Sequence, residues 1–201
     1  MRIFSIFLIF MSVATVLMAN PVIYQDGKMI DVIVDSKTTD IQFFYSVSPK
    51  MAVGYRYFEY SKTPSPTHLG QVNLLTKRWN KEDSQANIYL LGGLGVQNDS
   101  ITPYIGGEID WENRRVYVSV LADQLVGNDP MNRWVLRTGV APYLAEFNEL
   151  NTWFIIQVSQ LNSDQEKEAW VLPMLRLFKD NVLLEVGSNG TMHQATFRVH
   201  F

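Results

Sequence analysis

The sequence predicts an all-β protein, a closed antiparallel up-and-down β-barrel that crosses a membrane with its strands. From about residue 28 onwards, apolar and polar residues alternate in runs of about eight to eleven, and turn-forming clusters separate the runs. No run keeps the period of about 3.6 residues that an amphipathic helix needs. We count about twelve strands, with ten as the alternative, because the boundaries near residues 28–40 and 92–104 are poorly marked.

The first residues have the features of a secretory signal peptide. Arg2 supplies a short positive region, residues 3–18 are almost wholly apolar, and Ala19 offers a small residue for cleavage. The apolar run is shorter than the roughly 20 residues that a helix needs to span a bilayer. We therefore expect export with removal of residues 1–19, and a single domain that covers residues 20–201. After residue 19 no stretch resembles a transmembrane helix, so a membrane-embedded form must cross with strands.

Composition excludes several function classes. The 201 residues carry a formal net charge of −3, which lacks the basic excess that binding to nucleic acid requires. Cysteine is absent, so disulfides and thiolate metal sites are excluded. The three histidines, His68, His193 and His200, have no metal-ligand spacing. We expect no cofactor, no metal and no nucleic-acid partner.

Individual segments show the alternation of strands. In residues 104–111, Ile105, Ile109 and Trp111 alternate with Glu108 and Asp110. In residues 116–120 the three valines alternate with Tyr117 and Ser119. A short turn at residues 112–113 joins the two segments, which is the pattern of a hairpin.

Alternation alone does not say which face points inward. The polar faces carry only one or two charges per strand, and the charges have mixed sign, which fits a confined hydrated lumen better than a water-bathed exterior. We predict that these residues line the lumen: Arg56, Lys77, Glu108, Asp110, Arg115, Arg137, Arg176, Glu185 and Arg198.

Large aromatic residues concentrate toward strand ends, as in the interfacial girdle of a membrane barrel. These residues are Tyr57, Tyr60, Trp79, Trp111, Trp134, Trp153 and Trp170.

Glu108 and Asp110 share one face of a strand, so they could couple or bind a cation. Arg115 lies close to them in the hairpin register. A paired cluster in the lumen is therefore the favoured interpretation.

The connections differ in length between the two ends. Short turns at residues 48–50, 112–113 and 179–181 share the end at which the chain starts, and longer connections at residues 61–70 and 124–132 share the other. Short periplasmic turns and longer external loops are typical of bacterial outer-membrane barrels.

The last strand carries the sharpest motif. Phe197, Val199 and Phe201 alternate with polar residues, and Phe201 is the last residue of the sequence. This pattern resembles Gram-negative outer-membrane β-barrel proteins, whose last strand commonly ends in an aromatic residue. The resemblance implies a location in the outer membrane, contact with its lipid, and recognition of this strand by the barrel assembly machinery.

Three functions remain open from the sequence. The first is a non-enzymatic barrel, either a narrow channel for small solutes, with a slight preference for anions, or a structural protein of the outer membrane. The second is a soluble periplasmic barrel that binds an apolar ligand. The third is an outer-membrane lipid-modifying enzyme that uses Ser188 and His193. A glycine-containing turn separates these two residues in sequence, so an ordinary hairpin loop is the favoured interpretation there.

Overall fold

The structure, a computed structural model, describes residues 21–146 and 148–201. The predicted signal peptide, residues 1–19, lies outside the described residues. The described chain forms strands joined by turns and loops: β1 (Lys28–Asp35), β2 (Thr38–Ser48), β3 (Met51–Tyr60), β4 (Thr67–Asn80), β5 (Ser84–Gln97), β6 (Ser100–Asn113), β7 (Val116–Leu125), β8 (Met131–Val140), β9 (Asn151–Ser163), β10 (Lys167–Lys179), β11 (Val182–Ser188) and β12 (His193–His200). Within the described ranges, no helix is long and apolar enough to cross a membrane.

The strands close into one barrel. Each strand pairs antiparallel with its neighbours in sequence, and β1 pairs with β12 from Met29 opposite His200 to Asp35 opposite Gln194. Closure leaves no strand edge with unpaired backbone groups, as hydrocarbon requires. The prediction of a closed up-and-down barrel of about twelve strands is confirmed, and the alternative of ten strands is wrong.

The outer face is apolar and the inner face is largely polar. Ile105 is 64% exposed and Phe154 is 56% exposed, although both are large and apolar. By contrast, Arg56 is 3% exposed and Glu185 is 1% exposed. A water-soluble barrel shows the opposite arrangement, with apolar residues inside. The orientation therefore contradicts the alternative of a soluble periplasmic barrel with an apolar interior.

Strand β7 shows the orientation residue by residue. Tyr117 and Ser119 are buried on the inner face. Val116, Val118 and Val120 alternate with them in sequence; Val116 and Val118 are half-buried, and Val120 is exposed. Because side chains of a strand alternate between faces, the three valines point outward.

Tight turns fix the hairpin registers. Asn98 and Asp99 join β5 to β6, and both have positive φ angles, 49° and 58°. Two successive residues in this region form a type I′ turn, whose twist matches that of the flanking strands. Asn and Asp tolerate this conformation better than most residues.

The connections lie at two ends of the barrel. We call the end where β1 begins and β12 finishes the proximal end, and the other the distal end. The predicted asymmetry holds for the short proximal turns at residues 49–50, 114–115 and 180–181, and for the longer distal loops at residues 61–66 and 126–130. It fails at residues 141–150, which join β8 to β9 at the proximal end and form the longest connection, and at the distal end, where residues 36–37 and 98–99 form two-residue turns.

The interior also contains apolar side chains. Near the proximal end Val22, Met29, Phe44 and Tyr89 belong to one buried cluster, in which Val22 comes from the segment before β1. Toward the distal end the same cluster continues with a second group of inward-facing residues, namely Phe58, Tyr60, Leu125, Met131 and Leu161. The lumen is therefore narrowed at both ends by packed apolar side chains.

The aromatic residues divide between the two faces. Trp79, Trp111 and Trp134 are exposed on the outer face, where a girdle would lie. Tyr60 and Trp153 are buried inside the barrel, and Trp170 lines its cavity. The prediction of a girdle is wrong for these three, because the alternation of their strands turns them inward.

Candidate functional site in the barrel lumen

Most of the residues expected in the lumen lie on the inner face of the barrel. The structure places seven of the nine there, either buried or against the internal cavity: Arg56, Glu108, Asp110, Arg137, Arg176, Glu185 and Arg198. Lys77 and Arg115 lie elsewhere.

The prediction for Lys77 is wrong because a β-bulge interrupts β4. Leu75 pairs with Tyr89, but the next paired residue is Lys77, opposite Ile88 on the outer face. The extra residue reverses the alternation. Arg78 takes the inward position instead, and its Nε donates a hydrogen bond of 2.6 Å to Oδ1 of Asn87.

The prediction for Arg115 is wrong because this residue belongs to the turn between β6 and β7. Its Nη1 donates to the backbone oxygen of Pro142 at 3.2 Å, in the proximal loop. Arg115 is therefore not the partner of Glu108 and Asp110. Asp110 instead accepts a hydrogen bond of 2.8 Å from Nδ2 of Asn87.

Four charged side chains form a bridge across the lumen. Arg56 donates two hydrogen bonds to Asp40, from Nε at 2.8 Å and from Nη2 at 2.7 Å. Arg133 donates to Asp123 in the same forked manner, at 3.2 Å and 2.6 Å. Planar guanidinium groups favour this two-point contact with carboxylates. We call these four residues the lumen bridge.

The two pairs of the bridge meet across the barrel. Nη1 of Arg133 lies 3.8 Å from Oδ2 of Asp40, and Nη1 of Arg56 lies 3.9 Å from Oδ2 of Asp123. Asp40 is on β2 and Arg133 is on β8, which lie on opposite sides of the closed strand order. Charged side chains therefore span the full width of the lumen and constrict it.

Aromatic rings hold the bridge in place. The guanidinium carbon of Arg56 lies 5.1 Å from the ring centre of Phe58 and 5.0 Å from that of Tyr104. The hydroxyl of Tyr104 donates a hydrogen bond of 3.2 Å to Oδ2 of Asp123. A ring face attracts a cation, so these contacts favour the bridged position of Arg56.

A second charged cluster lies on the wall formed by β8 to β11. Glu185 accepts hydrogen bonds from Nε of Arg176 at 2.6 Å and from Nη2 of Arg137 at 2.7 Å. Nε of Arg137 also donates to the side chain of Gln157 at 2.8 Å. Glu185 is thus shared by two arginines, which removes much of their capacity to attract free anions.

An internal cavity of about 140 Å³ lies beside these clusters. A cavity of this size holds on the order of ten water molecules. Its wall includes residues of both signs, namely Arg56, Arg133, Arg137, Arg198, Asp31, Asp35 and Glu108. Four arginines face three carboxyl groups there, so the basic excess on which the expected preference for anions rests is only one charge.

The chain before β1 reaches into the proximal mouth of the lumen. Nδ2 of Asn73, on the inner face of β4, donates to the backbone oxygen of Pro21 at 3.1 Å. Oγ of Ser46 accepts a hydrogen bond of 3.2 Å from the backbone nitrogen of Ile23. Between these contacts, Val22 is buried in the proximal apolar cluster. Residues 21–23 therefore cover part of the proximal mouth.

The serine and histidine of the enzyme hypothesis are in contact, although a turn separates them in sequence. Ser188 and His193 are opposite residues at the end of the β11–β12 hairpin, and Oγ of Ser188 lies 2.9 Å from Nδ1 of His193. The same Oγ accepts a hydrogen bond of 3.2 Å from the backbone nitrogen of Gly190. Hairpin pairing is sufficient to explain the contact, and within the described ranges no side chain hydrogen-bonds the other ring nitrogen of His193.

Several important lumen residues were not anticipated from the sequence. Asp40, Asp123 and Arg133 complete the bridge, and Asp31 accepts a hydrogen bond from Arg198 at 2.5 Å. The alternation of β2 could have assigned Asp40 to the lumen, because Asp40 lies two residues before Gln42 and therefore on the same polar face of the strand. No sequence signal pairs Asp40 with Arg133, because their strands are neighbours neither in sequence nor in the sheet.

Comparisons with known proteins give matches at the level of fold. No model of a known protein family matches the chain, and no curated protein sequence matches it. Among solved structures, the chain is similar to one described as "KdgM porin in complex with disordered oligogalacturonate", with 6% sequence identity, a TM-score of 0.55, and coverage of 87% of this chain and 98% of that one. It is also similar to OccK8 (OprE) of Pseudomonas aeruginosa, with 8% identity, a TM-score of 0.45, and coverage of 88% and 67%.

At these identities the likeness concerns architecture alone. The first match covers nearly all of both chains, and it agrees with the closed strand order and the outward apolar face described above. The chain has the fold of the outer-membrane β-barrel proteins of Gram-negative bacteria.

Proposed function

We propose that the protein is an integral outer-membrane barrel that gives small polar solutes a narrow, hydrated route through the membrane. The observation that carries this proposal is the polar cavity inside the barrel, which lies beside the lumen bridge and is lined by charged and amide side chains. A closed barrel of twelve strands is wider than the eight-stranded case that side chains can fill, so a hydrated passage is geometrically possible.

The proposal includes a location and partners. The outward apolar face would contact outer-membrane lipid, and the proximal end would face the periplasm, as expected when both ends of a barrel chain lie on that side. Phe197 and Phe201 are exposed on the outside of the last strand, and Val199 is half-buried. Their exposure supports recognition of this strand by the barrel assembly machinery.

Conductance in planar bilayers tests the proposal. We expect purified, folded protein to produce small current steps. Arg133→Ala removes one side chain of the lumen bridge and should increase the step size, because the bridge crosses the lumen from β2 to β8. Arg114→Ala is the matched control, since Arg114 is exposed in a proximal turn and forms an exposed ion pair with Glu146, at 3.4 Å. Absence of current from both the native protein and Arg133→Ala would contradict a channel and favour a structural role.

The proposed function is non-enzymatic. Ser188 is engaged by the backbone of its own turn, and the described structure offers no third group that orients His193 as a base. We expect Ser188→Ala to leave any lipid-directed activity of the purified protein unchanged. Loss of a measured lipase activity in this variant would overturn the non-enzymatic assignment.

A further inference from the structure

The wall of the lumen cavity holds a carboxylate, Glu108, without an ion-pair partner among the described residues. Glu108 on β6 lines the cavity together with Arg137 on β8 and Arg198 on β12. Arg137 pairs with Glu185 at 2.7 Å and Arg198 pairs with Asp31 at 2.5 Å, and neither forms an ion pair with Glu108. In the described part of the chain, the Glu108 carboxylate has no side-chain hydrogen bond. Glu108 therefore shares the cavity with two guanidinium groups that are paired with other carboxylates.

Buried acceptors on the same wall lack donors. Asp31 and Gln71 line the cavity and are almost completely buried, and Oδ1 of Asp31 and Oε1 of Gln71 have no hydrogen-bond partner in the described structure. A buried acceptor without a donor is costly. An ammonium group, which has three donors and no acceptor, is suited to such a site.

The size of the cavity limits the solute. Its volume is about 140 Å³. In another protein a cavity of about 150 Å³ holds a benzene molecule, which has six non-hydrogen atoms. A small amino acid such as L-alanine has the same number of non-hydrogen atoms and carries one group of each sign.

We propose that the lumen cavity is a binding site for small zwitterions of amino-acid size. The ammonium group of the solute lies toward Glu108 and the open acceptor of Gln71. Its carboxylate lies toward Arg198, whose Nε has no hydrogen-bond partner in the described structure, and toward Arg137, which shares Glu185 with Arg176. Solutes of one sign bind less well, because each meets a group of like charge on the opposite wall. This inference rests on one part of the proposed function, namely that solutes enter the lumen from water.

Equilibrium binding to the folded protein in detergent micelles tests the inference. Calorimetric titration with L-alanine is compared with glycerol, which has the same number of non-hydrogen atoms, and with propionate and propylammonium. We expect L-alanine to bind about tenfold more tightly than each of the others, which corresponds to about 1.4 kcal/mol. Equal binding of all four solutes, or no binding of L-alanine, would overturn the inference.

Variants connect the binding to the cavity. Glu108→Gln should weaken L-alanine binding about tenfold, whereas Glu82→Gln, which removes an equal charge from an exposed proximal turn, should leave it unchanged. Heat-modifiable gel mobility verifies that each variant is folded. If Glu108→Gln does not fold, Gln71→Leu removes an open acceptor and should weaken binding in the same direction. Unchanged binding in a folded cavity variant would place the site elsewhere and overturn the inference.

The outcomes separate this inference from the channel. Binding of L-alanine without conductance would overturn the proposed channel and leave the binding site intact. Conductance without any preference for L-alanine would overturn the binding site and leave the channel intact.

Discussion

Glu185 offers the most direct test of the electrostatics inside the barrel. Its carboxylate is 1% exposed and accepts hydrogen bonds from Arg176 at 2.6 Å and from Arg137 at 2.7 Å. Glu185→Gln keeps the size of the side chain and removes its charge. Two guanidinium groups then face each other inside the barrel without a counterion.

The expected cost follows from the burial of the partners. Removing one member of a buried ion pair typically costs about 3–5 kcal/mol, because the remaining charge stays in an unfavourable environment. Arg137 retains its hydrogen bond to Gln157 at 2.8 Å, and the guanidinium of Arg176 retains its position 4.7 Å from the ring centre of Tyr117. These contacts reduce the loss, so we expect about 3 kcal/mol, the lower end of the range.

Reversible urea unfolding in phospholipid vesicles, followed by tryptophan fluorescence, measures this cost. Glu82→Gln is the matched control, because its exposed side chain has no hydrogen-bond partner in the described structure and surface changes usually stay within about 0.5 kcal/mol. A triple variant in which Arg137 and Arg176 also become methionine should recover much of the loss. If Glu185→Gln lowers the free energy of unfolding by less than about 1 kcal/mol, the view that Glu185 stabilises the buried charges of Arg137 and Arg176 is refuted.

Three further predictions concern other parts of the barrel. Gly54→Ala should lower the yield of heat-modifiable folded protein, because a Cβ atom there would lie 2.0 Å from a backbone oxygen of β2; Gly92→Ala, where a Cβ atom meets nothing within 4 Å, should fold normally. Val22→Asp should increase the conductance of the channel, because a carboxylate is unfavourable in the proximal apolar cluster and its release would uncover the proximal mouth. Glu166, in a distal loop, accepts hydrogen bonds from Lys37 and Lys62, and these lower its pKa to about 2. Because this pKa is lower than in the unfolded chain, the contribution of Glu166 to stability is complete above about pH 4.5 and is lost as the pH falls toward 2. The difference in thermal midpoint between the native protein and Glu166→Gln should therefore be present at pH 6 and mostly lost at pH 2.

The alternation of residues along the strands predicted about twelve strands, with ten as the alternative, and the signal peptide and the last strand were needed to predict a closed membrane barrel. The alternation placed Val116, Val118 and Val120 on one face because a strand repeats every two residues and a membrane barrel exposes one apolar face. It failed at Lys77, because the bulge in β4 has no clear sequence signal and shifts every later residue of the strand to the other face. It also failed at Arg115. Strand β7 begins one residue later, at Val116, so Arg115 lies in the turn before the strand and not in the lumen.

The interactions across the lumen could not be predicted from the sequence. Local alternation assigns a residue to the inner face, but it does not say which residues meet across the barrel. The contact between Asp40 and Arg133 depends on the closure of the barrel and on the stagger of its strands. The inward positions of Tyr60, Trp153 and Trp170 were missed for a related reason: aromatic residues near strand ends occur both in membrane girdles and in packed interiors.

The absence of cysteine in the sequence allows a direct test of the orientation of the barrel. Single cysteines are introduced in turn at residues 116–120, labelled with a nitroxide after folding into vesicles, and exposed to oxygen or to a water-soluble nickel complex. The structure predicts that oxygen collisions are highest at Val116, Val118 and Val120, and lowest at Tyr117 and Ser119. The reverse alternation, or uniform accessibility to the nickel complex along the segment, would contradict a lipid-facing apolar surface around a polar lumen.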